Sequence, residues 1–164
     1  MKPYIVVCDI DGTLADCKHR RPHLDEKPRN WKAFNEKMGE DTPVTALVAL
    51  LQQLSVVSHM CEVNAIFHGC EPAWKNTILI VSAREEAFRP VTESWLLHHG
   101  IPYHELLMRP LADYRDDQHI KQEILTDIIT RYGKPDIVFE DRDRLVKMWR
   151  DADILCCQVD YGDF

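Results

Sequence analysis

Two closely spaced aspartates near the start of the chain are the first candidates for a functional site. Asp9 and Asp11 stand on either side of Ile10, directly after the apolar run 5–8, and Gly12 follows them. Side chains at alternate positions of an extended strand point to the same side, so both carboxylates can meet one metal ion or one substrate. Gly12 lets the backbone turn sharply after them. The pattern predicts a polar loop at the carboxyl end of a buried strand, where open α/β sheets bind ligands.

The same Asp-x-Asp-Gly pattern also begins the calcium-binding loop of an EF-hand. In this chain the later acidic ligand positions of such a loop do not follow, and a strand-like run comes before the aspartates. Calcium binding is therefore the weaker of the two interpretations. A site at the end of a strand is the stronger one.

Three more polar groups follow, each after an apolar run or early in a helical segment. They are Ser82 with Arg84, Lys121 with Asp117 four residues before it, and the acidic pair Glu140 and Asp141. Carboxylate oxygens are the ligands that Mg²⁺ prefers, whereas hydroxyl, ammonium and guanidinium groups donate to phosphate oxygens. Together these residue types can bind a hard cation and an anionic group.

The elements that must position these groups alternate between strands and helices. Strands are predicted over 5–8, 77–81, 103–108, 136–139 and 154–159. Helical segments follow most of them, the last a short one that contains Met148 and Trp149. This alternation is typical of an α/β fold, and we expect a three-layer, doubly wound (Rossmann-like) parallel sheet of five strands.

Three helical segments carry expectations about packing. The first is predicted to begin with Asp41 as its cap and Pro43 in its first turn. Its apolar stripe consists of Val44, Leu47, Val48, Leu51 and Leu54. In the second helix, the residues expected to face the core are Val91, Trp95 and Leu96. In the third helix they are Ile120, Ile124, Ile128 and Tyr132.

A cap is predicted within residues 14–41, directly after the two aspartates. Trp31, Phe34 and Met38 are spaced for one face of a short amphipathic helix, and Gly39 can end it. We therefore expect a small helical cap insertion over the site. Residues 1–164 are otherwise expected to form a single domain, because the chain is too short for two comfortable cores.

An atypical insertion is predicted over residues 55–76, because helices and strands in doubly wound domains are normally joined by a few residues. It contains the pairs His59-x-Cys61 and His68-x-Cys70. These side chains could hold a tetrahedral zinc ion, although zinc-finger pairs usually have two or more residues between their ligands. Incidental histidines and cysteines are the alternative, and the sequence leaves both open.

Composition excludes several classes of protein. The 164 residues are 45% hydrophobic, and no run approaches the roughly 18 apolar residues of a membrane span. We expect no membrane contact and, without a signal-like N-terminal segment, a cytoplasmic protein with free thiols. A formal net charge of −7 gives no global attraction for nucleic acid, so any polynucleotide must be held by a few local arginines.

The four polar groups resemble, in order, the four motifs of the haloacid dehalogenase superfamily of phosphotransferases. The finer resemblance is to the 3′-phosphatase domain of the phage polynucleotide kinase type. It rests on Arg20, Ser82-Ala83-Arg84, Asp117 before Lys121, and Gly162-Asp163-Phe164. There are two departures: Glu140 stands where that branch usually has aspartate, and residues 55–76 have no recognised counterpart.

The resemblance implies a Mg²⁺-dependent phosphatase with an aspartyl-phosphate intermediate. Asp9 is expected to attack phosphorus, and Asp11 to act as general acid and base. Magnesium is expected on Asp9, Asp141 and the backbone carbonyl of Asp11. The expected phosphate-binding residues are Ser82, Lys121, Arg84 and Arg20, and the expected supporting residues are Thr13, Asp117 and Glu140.

The implied substrates are 3′-phosphate ends of DNA or RNA, or nucleoside 3′-monophosphates. A nucleoside 5′-monophosphate phosphatase is the alternative. A zinc-organised regulatory or partner domain is the alternative outside enzymes. The sequence contains no P-loop, so we expect no kinase activity in these residues. A separate kinase or ligase is a candidate partner.

Overall fold

The structure is a computed structural model that describes residues 3–55 and 76–162. Its strands are β1 (Ile5–Cys8), β2 (Ala15–Asp16), β3 (Thr42–Pro43), β4 (Thr77–Glu85), β5 (Glu105–Arg109), β6 (Ile137–Arg142) and β7 (Leu155–Gly162). Its helices are α1 (Pro22–Asp25), α2 (Trp31–Glu36), α3 (45–55), α4 (Arg89–His98), α5 (Asp117–Arg131) and α6 (Asp143–Asp151). Short 3₁₀ turns span Met38–Glu40 and Glu86–Phe88.

The main sheet has five strands in the order β5-β4-β1-β6-β7, and every neighbouring pair is parallel. The chain runs outward from β1 through β4 to β5, then returns to the other side of β1 for β6 and β7. This arrangement confirms the predicted doubly wound α/β fold. The strand order reverses between β1 and β6, and such a switch point is where open α/β sheets form a ligand crevice.

Two apolar cores cover the two faces of the sheet because successive strand residues point to opposite sides. In β1, Val6 and Cys8 belong to one core and Val7 to the other. The first core includes Leu51 of α3 and Trp95 of α4. The second core includes residues of α5 and α6, namely Leu125, Ile128, Val146, Met148 and Trp149. The molecule therefore has the expected three layers.

Strands β4 and β6 are longer than predicted, and each includes the polar residues that were expected to follow it. The pairing of β4 with β5 shifts between Ser82 and Glu85, and that of β6 with β7 shifts between Glu140 and Arg142. Such irregularities redirect side chains near strand ends and are common next to active sites. The periodicity of the apolar run alone did not reveal this continuation.

The start of α3 differs from the prediction. Thr42 and Pro43 form β3, which pairs with β2 in an antiparallel ribbon, and the helix begins at residue 45. Asp41 is therefore not the helix cap, and its side chain is buried elsewhere. The apolar stripe is confirmed: Leu47, Val48 and Leu51 are buried, and Val44 and Leu54 pack against the same core.

The buried face was also predicted wrongly in α4 and in the cap. Val91 is 36% exposed, and Thr92 is the buried residue in the first half of α4. In the cap, α2 ends at Glu36, so the three apolar residues do not share one helix. Met38 is buried in the 3₁₀ turn, whereas Trp31 is 53% exposed and contacts Phe34 edge-on.

The pairs His59-x-Cys61 and His68-x-Cys70 lie outside the described residues. Within 3–55 and 76–162 the cysteines are free thiols, as expected, at Cys8, Cys17, Cys156 and Cys157. In the same part of the chain no helix is long and apolar enough to cross a membrane.

Candidate active site

Three buried carboxylates meet at the carboxyl edge of the sheet, in the crevice between β1 and β6. Parallel pairing of Cys8 with Phe139 places Asp9 beside Glu140 and Asp141. The three residues each offer a carboxylate oxygen, and these oxygens lie within 4.8 Å of one another. The predicted acidic groups are thus brought together from positions more than 120 residues apart along the chain.

Lys121 is the cation of this cluster. Its Nζ donates to Asp9 Oδ1 at 2.6 Å and to Glu140 Oε2 at 2.7 Å, and the residue is only 2% exposed. Burial by itself would lower the pKa of Lys121, but Asp9 and Glu140 outweigh burial and raise it, so the ammonium stays charged. Trp149 Nε1 also donates to Glu140 Oε2, at 3.4 Å.

Negative charge exceeds positive charge in this cluster. Burial and the Glu140 carboxylate raise the pKa of Asp141 to about 7, and burial raises the pKa of Asp9 despite Lys121. Asp141 Oδ2 is buried without a hydrogen-bond donor among the described residues, although Arg21 Nη2 lies 3.6 Å from it. An all-oxygen set with an unsatisfied buried carboxylate oxygen fits a hard cation such as Mg²⁺.

Asp11 lies in the opposite electrostatic environment. Arg84 binds it with Nε at 3.0 Å from Oδ2 and Nη2 at 2.7 Å from Oδ1, and Arg20 Nη2 also donates to Oδ1. Burial raises the pKa of Asp11, but the guanidinium groups of Arg84 and Arg20 outweigh burial and hold it well below the usual range. The pKa of Asp9 is therefore raised and that of Asp11 lowered, although the two residues are only two positions apart.

Asp41 is a site residue that the sequence did not predict. Its buried carboxylate accepts from Arg20 Nε and Nη2, both at 2.7 Å, and from Arg84 Nη2 at 3.0 Å. The sequence offers no chemical signal for this role, since Asp41 before a Thr-Pro pair has the pattern of a helix cap. Only its contacts with arginines from other segments distinguish it.

Ser82, Thr13 and Asp117 are the remaining predicted site residues. Ser82 is buried, and its Oγ accepts from the backbone N–H of Arg84 at 3.2 Å. Thr13 is also buried, and its Oγ1 has no hydrogen-bond partner within the described ranges. Asp117 pairs with Arg142 and with Arg144, whose Nη2 lies 2.7 Å from Oδ1. These two arginines were not predicted; Arg142 links α5 to the end of β6, and Arg144 links α5 to α6.

Two glycines allow the backbone to approach Asp141. Gly12 has a φ of +89°, and a Cβ there would lie 2.0 Å from Asp141 Oδ2. At Gly162, in β7, a Cβ would lie 2.6 Å from the Asp141 backbone oxygen. A methyl group at either position would displace Asp141, so both glycines are needed for the geometry of the carboxylate cluster.

A cleft of about 470 Å³ opens beside the loop that follows β1. Gly12, Thr13 and Arg21 contribute to its wall, and Arg21 is also near Asp141. Lys18, the start of α3 and the end of β7 complete the lining. A cleft of this size is in the range of small-ligand pockets.

A doubly wound parallel sheet, with a carboxylate and lysine cluster at its switch point, defines the class of protein as a phosphatase of the haloacid dehalogenase type. A solved hydrolase from Streptococcus pneumoniae TIGR4 has the same fold, with a TM-score of 0.59 at 12% identity over 98% of this chain and 95% of that one. Within the class, the family model of the polynucleotide kinase PNKP phosphatase domain matches residues 3–164. The chain belongs to this family and is a phosphatase.

Three other similar proteins are considerably longer, and this chain spans less than half of the length of each. A structure of the Pnkp1/Rnl/Hen1 RNA repair complex contains a chain with 30% identity and a TM-score of 0.74, covering 99% of this chain and 44% of that one. A second structure of that complex matches with a TM-score of 0.73, at 30% identity, covering 99% and 47%. A putative bifunctional polynucleotide kinase/RNA ligase of Autographa californica nuclear polyhedrosis virus is 26% identical over 153 residues, which is 93% of this chain and 18% of that protein.

Proposed function

We propose that this phosphatase removes 3′-phosphates from polynucleotide ends or from nucleoside 3′-monophosphates, with Mg²⁺ and a covalent intermediate on Asp9. The observation that carries the chemistry is the meeting of Asp9, Glu140, Asp141 and Lys121 in one crevice, with Asp11 two positions from Asp9. Asp9 lies with Lys121 among the carboxylates, and Asp11 lies between two arginines. Two carboxylates in different environments are typical of sites that divide nucleophilic and acid–base roles between them.

In the proposed first step, an Asp9 carboxylate oxygen forms a bond to phosphorus and the bond from phosphorus to the ester oxygen breaks. Asp11 gives a proton to the departing ester oxygen, so an alcohol leaves and an aspartyl-phosphate remains. Arg20 and Arg84 favour ionised Asp11 in the free site, and a substrate phosphate that shares these arginines would weaken that effect, so that Asp11 can carry the proton. Lys121 and Ser82 are proposed to donate to the phosphoryl oxygens, over which the transition state spreads its negative charge. The contact of Lys121 Nζ with Asp9 at 2.6 Å supports this assignment.

In the proposed second step, Asp11 takes a proton from a water molecule, whose oxygen attacks the aspartyl-phosphate. The bond between Asp9 and phosphorus breaks, inorganic phosphate leaves, and Asp9 and the protonated Asp11 are regenerated. Asp11 thus acts first as acid and then as base. Arg20 and Arg84 are proposed to contact the phosphate as well, because Arg20 Nη1 is buried without a hydrogen-bond partner among the described residues.

Asp9, Asp141 and the backbone carbonyl of Asp11 are the proposed magnesium ligands. When bound, Mg²⁺ supplies positive charge that offsets the repulsion between the carboxylates and the substrate phosphate. Glu140 Oε2 already accepts from Lys121, and we propose that Glu140 supports the site through that lysine. The excess of buried carboxylates over cations supports this cation requirement.

The proposed substrate class rests on the cleft, the local arginines and the similar proteins. A cleft of about 470 Å³, lined by Gly12 and Thr13 of the loop that follows β1, has the volume for a nucleoside. The similar proteins include a polynucleotide kinase/RNA ligase and a component of an RNA repair complex. We therefore propose a role in repair of nucleic-acid ends, with a kinase and a ligase as functional partners.

The proposal is tested with matched oligonucleotides phosphorylated at the 3′ or the 5′ end, alongside nucleoside 3′- and 5′-monophosphates. We expect Mg²⁺-dependent phosphate release with the higher kcat/KM on the 3′-phosphates, and loss of activity with EDTA or in Asp9→Asn. Higher kcat/KM on a nucleoside 5′-monophosphate would make the protein a nucleotidase instead. Activity that survives in Asp9→Asn would exclude the covalent route, and stoichiometric zinc without turnover would favour a regulatory domain.

A further inference from the structure

Asp41 is held rigidly between the cap and the sheet. It lies between the 3₁₀ turn Met38–Glu40 and β3, and its side chain has no solvent exposure. Its backbone carbonyl accepts from Trp95 Nε1 at 2.7 Å, and Trp95 is itself part of the core. The position of the Asp41 carboxylate is therefore set by α4 as well as by its own segment.

The Asp41 carboxylate determines how two arginines are oriented. Arg20 binds it with two parallel hydrogen bonds of 2.7 Å, which fix the plane of the guanidinium group. Arg84 Nη2 is shared between Asp41 Oδ2 at 3.0 Å and Asp11 Oδ1 at 2.7 Å. Arg20 Nη2 is shared between Asp41 and Asp11 in the same way. Both arginines thus bridge the same two carboxylates.

The charges of this group balance. Two guanidinium groups and two carboxylates lie together, and Arg20, Arg84 and Asp41 are all buried. His19 Nε2 lies 2.9 Å from Asp41 Oδ1 at the outer side, and Thr92 Oγ1 accepts from Arg84 Nη1 at 3.3 Å. Without Asp41, two buried cations would face Asp11 alone, and Arg20 would be oriented only by Asp11 and by the Phe34 ring, whose centroid lies 4.1 Å from Arg20 Cζ.

We propose that Asp41 is a positioning residue for the reaction: it holds Arg20 and Arg84 in the orientation that places Asp11 for proton transfer. This inference rests on the proposed function of Asp11 as general acid. Asp41 acts through the arginines and does not touch the reacting atoms. A displaced Asp11 transfers its proton poorly, because a general acid must be within hydrogen-bonding reach of the departing oxygen.

The leaving group distinguishes this role from a merely structural one. An alkyl phosphate, such as a nucleotide end, needs a proton on its departing oxygen, whereas p-nitrophenyl phosphate has a leaving group that departs without one. Loss of proton transfer therefore lowers kcat/KM mainly for the alkyl phosphate. Loss of folded protein lowers it equally for both substrates.

The experiment compares wild type, Asp41→Asn and Asp11→Asn on a 3′-phosphorylated oligonucleotide, a nucleoside 5′-monophosphate and p-nitrophenyl phosphate. Asp41→Asn keeps the size of the side chain but removes its charge and one acceptor for the Arg20 fork. We expect kcat/KM on the better alkyl phosphate to fall about ten- to a hundredfold more than on p-nitrophenyl phosphate. Asp136→Asn is the matched control, because Asp136 Oδ2 accepts from Ile5 N at the amino end of the sheet. It should leave the ratio of the two kcat/KM values unchanged.

An equal loss on both substrates in folded Asp41→Asn protein would overturn the proposal, provided that Asp11→Asn shows the selective loss. If Asp11→Asn shows no selective loss, the general-acid assignment is what fails, and Asp41 has no acid to position. Thermal unfolding checks the fold of each variant. If Asp41→Asn does not fold, Trp95→Phe removes only the hydrogen bond to the Asp41 carbonyl. A smaller selective loss in Trp95→Phe supports the proposal, and an unchanged ratio overturns it.

Discussion

Asp9 and Asp11 show how strongly surroundings determine the chemistry of a residue. They have the same side chain and are separated only by Ile10, yet the pKa of Asp9 is raised and that of Asp11 is lowered. Burial raises the pKa of both carboxyl groups, and the cations decide the difference. Asp9 shares one lysine with Glu140, whereas Asp11 has two arginines.

The acidic pair on β6 provides the first prediction. Asp141→Asn should reduce activity to background, because it removes a proposed magnesium ligand and leaves an amide in the carboxylate cluster. Glu140→Gln should lower kcat/KM less, by about 10- to 100-fold, because the amide oxygen can still accept from Lys121. The measurement is kcat/KM over a Mg²⁺ titration for each folded variant. Equal losses in the two variants would show that Glu140 also binds the metal or orients its waters.

At the scale of elements, the loop after β1 and the end of β7 bring backbone close to Asp141. A loop can pass a buried carboxylate only if no side chain stands in the gap, and Gly12 and Gly162 meet this condition. The irregular pairing near the ends of β4 and β6 has a related effect, because it redirects side chains near Ser82 and Asp141. The catalytic edge therefore depends on departures from regular strand geometry.

A pair of glycine variants separates close approach from backbone strain. Gly12→Ala should abolish activity, because its Cβ would lie 2.0 Å from Asp141 Oδ2 in addition to the strain of a φ of +89°. Gly133 has a φ of +101°, but a Cβ there would make only an ordinary van der Waals contact, 3.6 Å from Ile5 Cδ1. Gly133→Ala should lower the free energy of unfolding by about 1–2 kcal/mol and leave kcat/KM intact. Denaturant unfolding and phosphatase assays on both variants check this. Full activity of folded Gly12→Ala would show that Asp141 tolerates displacement.

At the scale of the whole molecule, a net charge of −7 surrounds a site with several arginines. Arg20 and Arg84 form ion pairs with Asp11 and Asp41, so their charge is balanced within the site and little positive charge is presented over a long surface. Long-range attraction between this protein and a polynucleotide is therefore weak. A nucleic-acid substrate should be bound by its end.

This charge distribution predicts a short footprint. Raising the salt concentration should lower kcat/KM for a 3′-phosphorylated oligonucleotide with a log–log slope of only about 0.7 to 1.4, as expected for one or two phosphate contacts on a single strand. Lengthening the substrate beyond about three nucleotides should change kcat/KM little. The measurement is a series of oligonucleotides at several salt concentrations. A steep slope that grows with substrate length would indicate an extended binding surface instead.

The fold class could be predicted from the amino-acid sequence, and so could the residues that meet in the crevice, whose catalytic roles stay predictions. Apolar runs predicted the five strands. Polar residues at the ends of those runs predicted the crevice, because the carboxyl ends of parallel strands lie at one edge of the sheet. Asp9, Asp11, Ser82, Lys121 and Asp141 were all found at this edge. Local patterns suffice for the strands, since each depends on a few neighbouring residues, whereas the roles expected of Ser82, Lys121 and Asp141 were implied by the resemblance to the haloacid dehalogenase superfamily.

Only the tertiary structure decided which charges pair. Asp41 has the local pattern of a helix cap, but Arg20 and Arg84 reach it from 21 and 43 positions away. Lys121 has the local pattern of a solvated lysine, but Asp9 and Glu140 surround it in the crevice. The energy of a buried charge depends on the partners that folding brings within hydrogen-bonding distance, and no local sequence pattern contains that information.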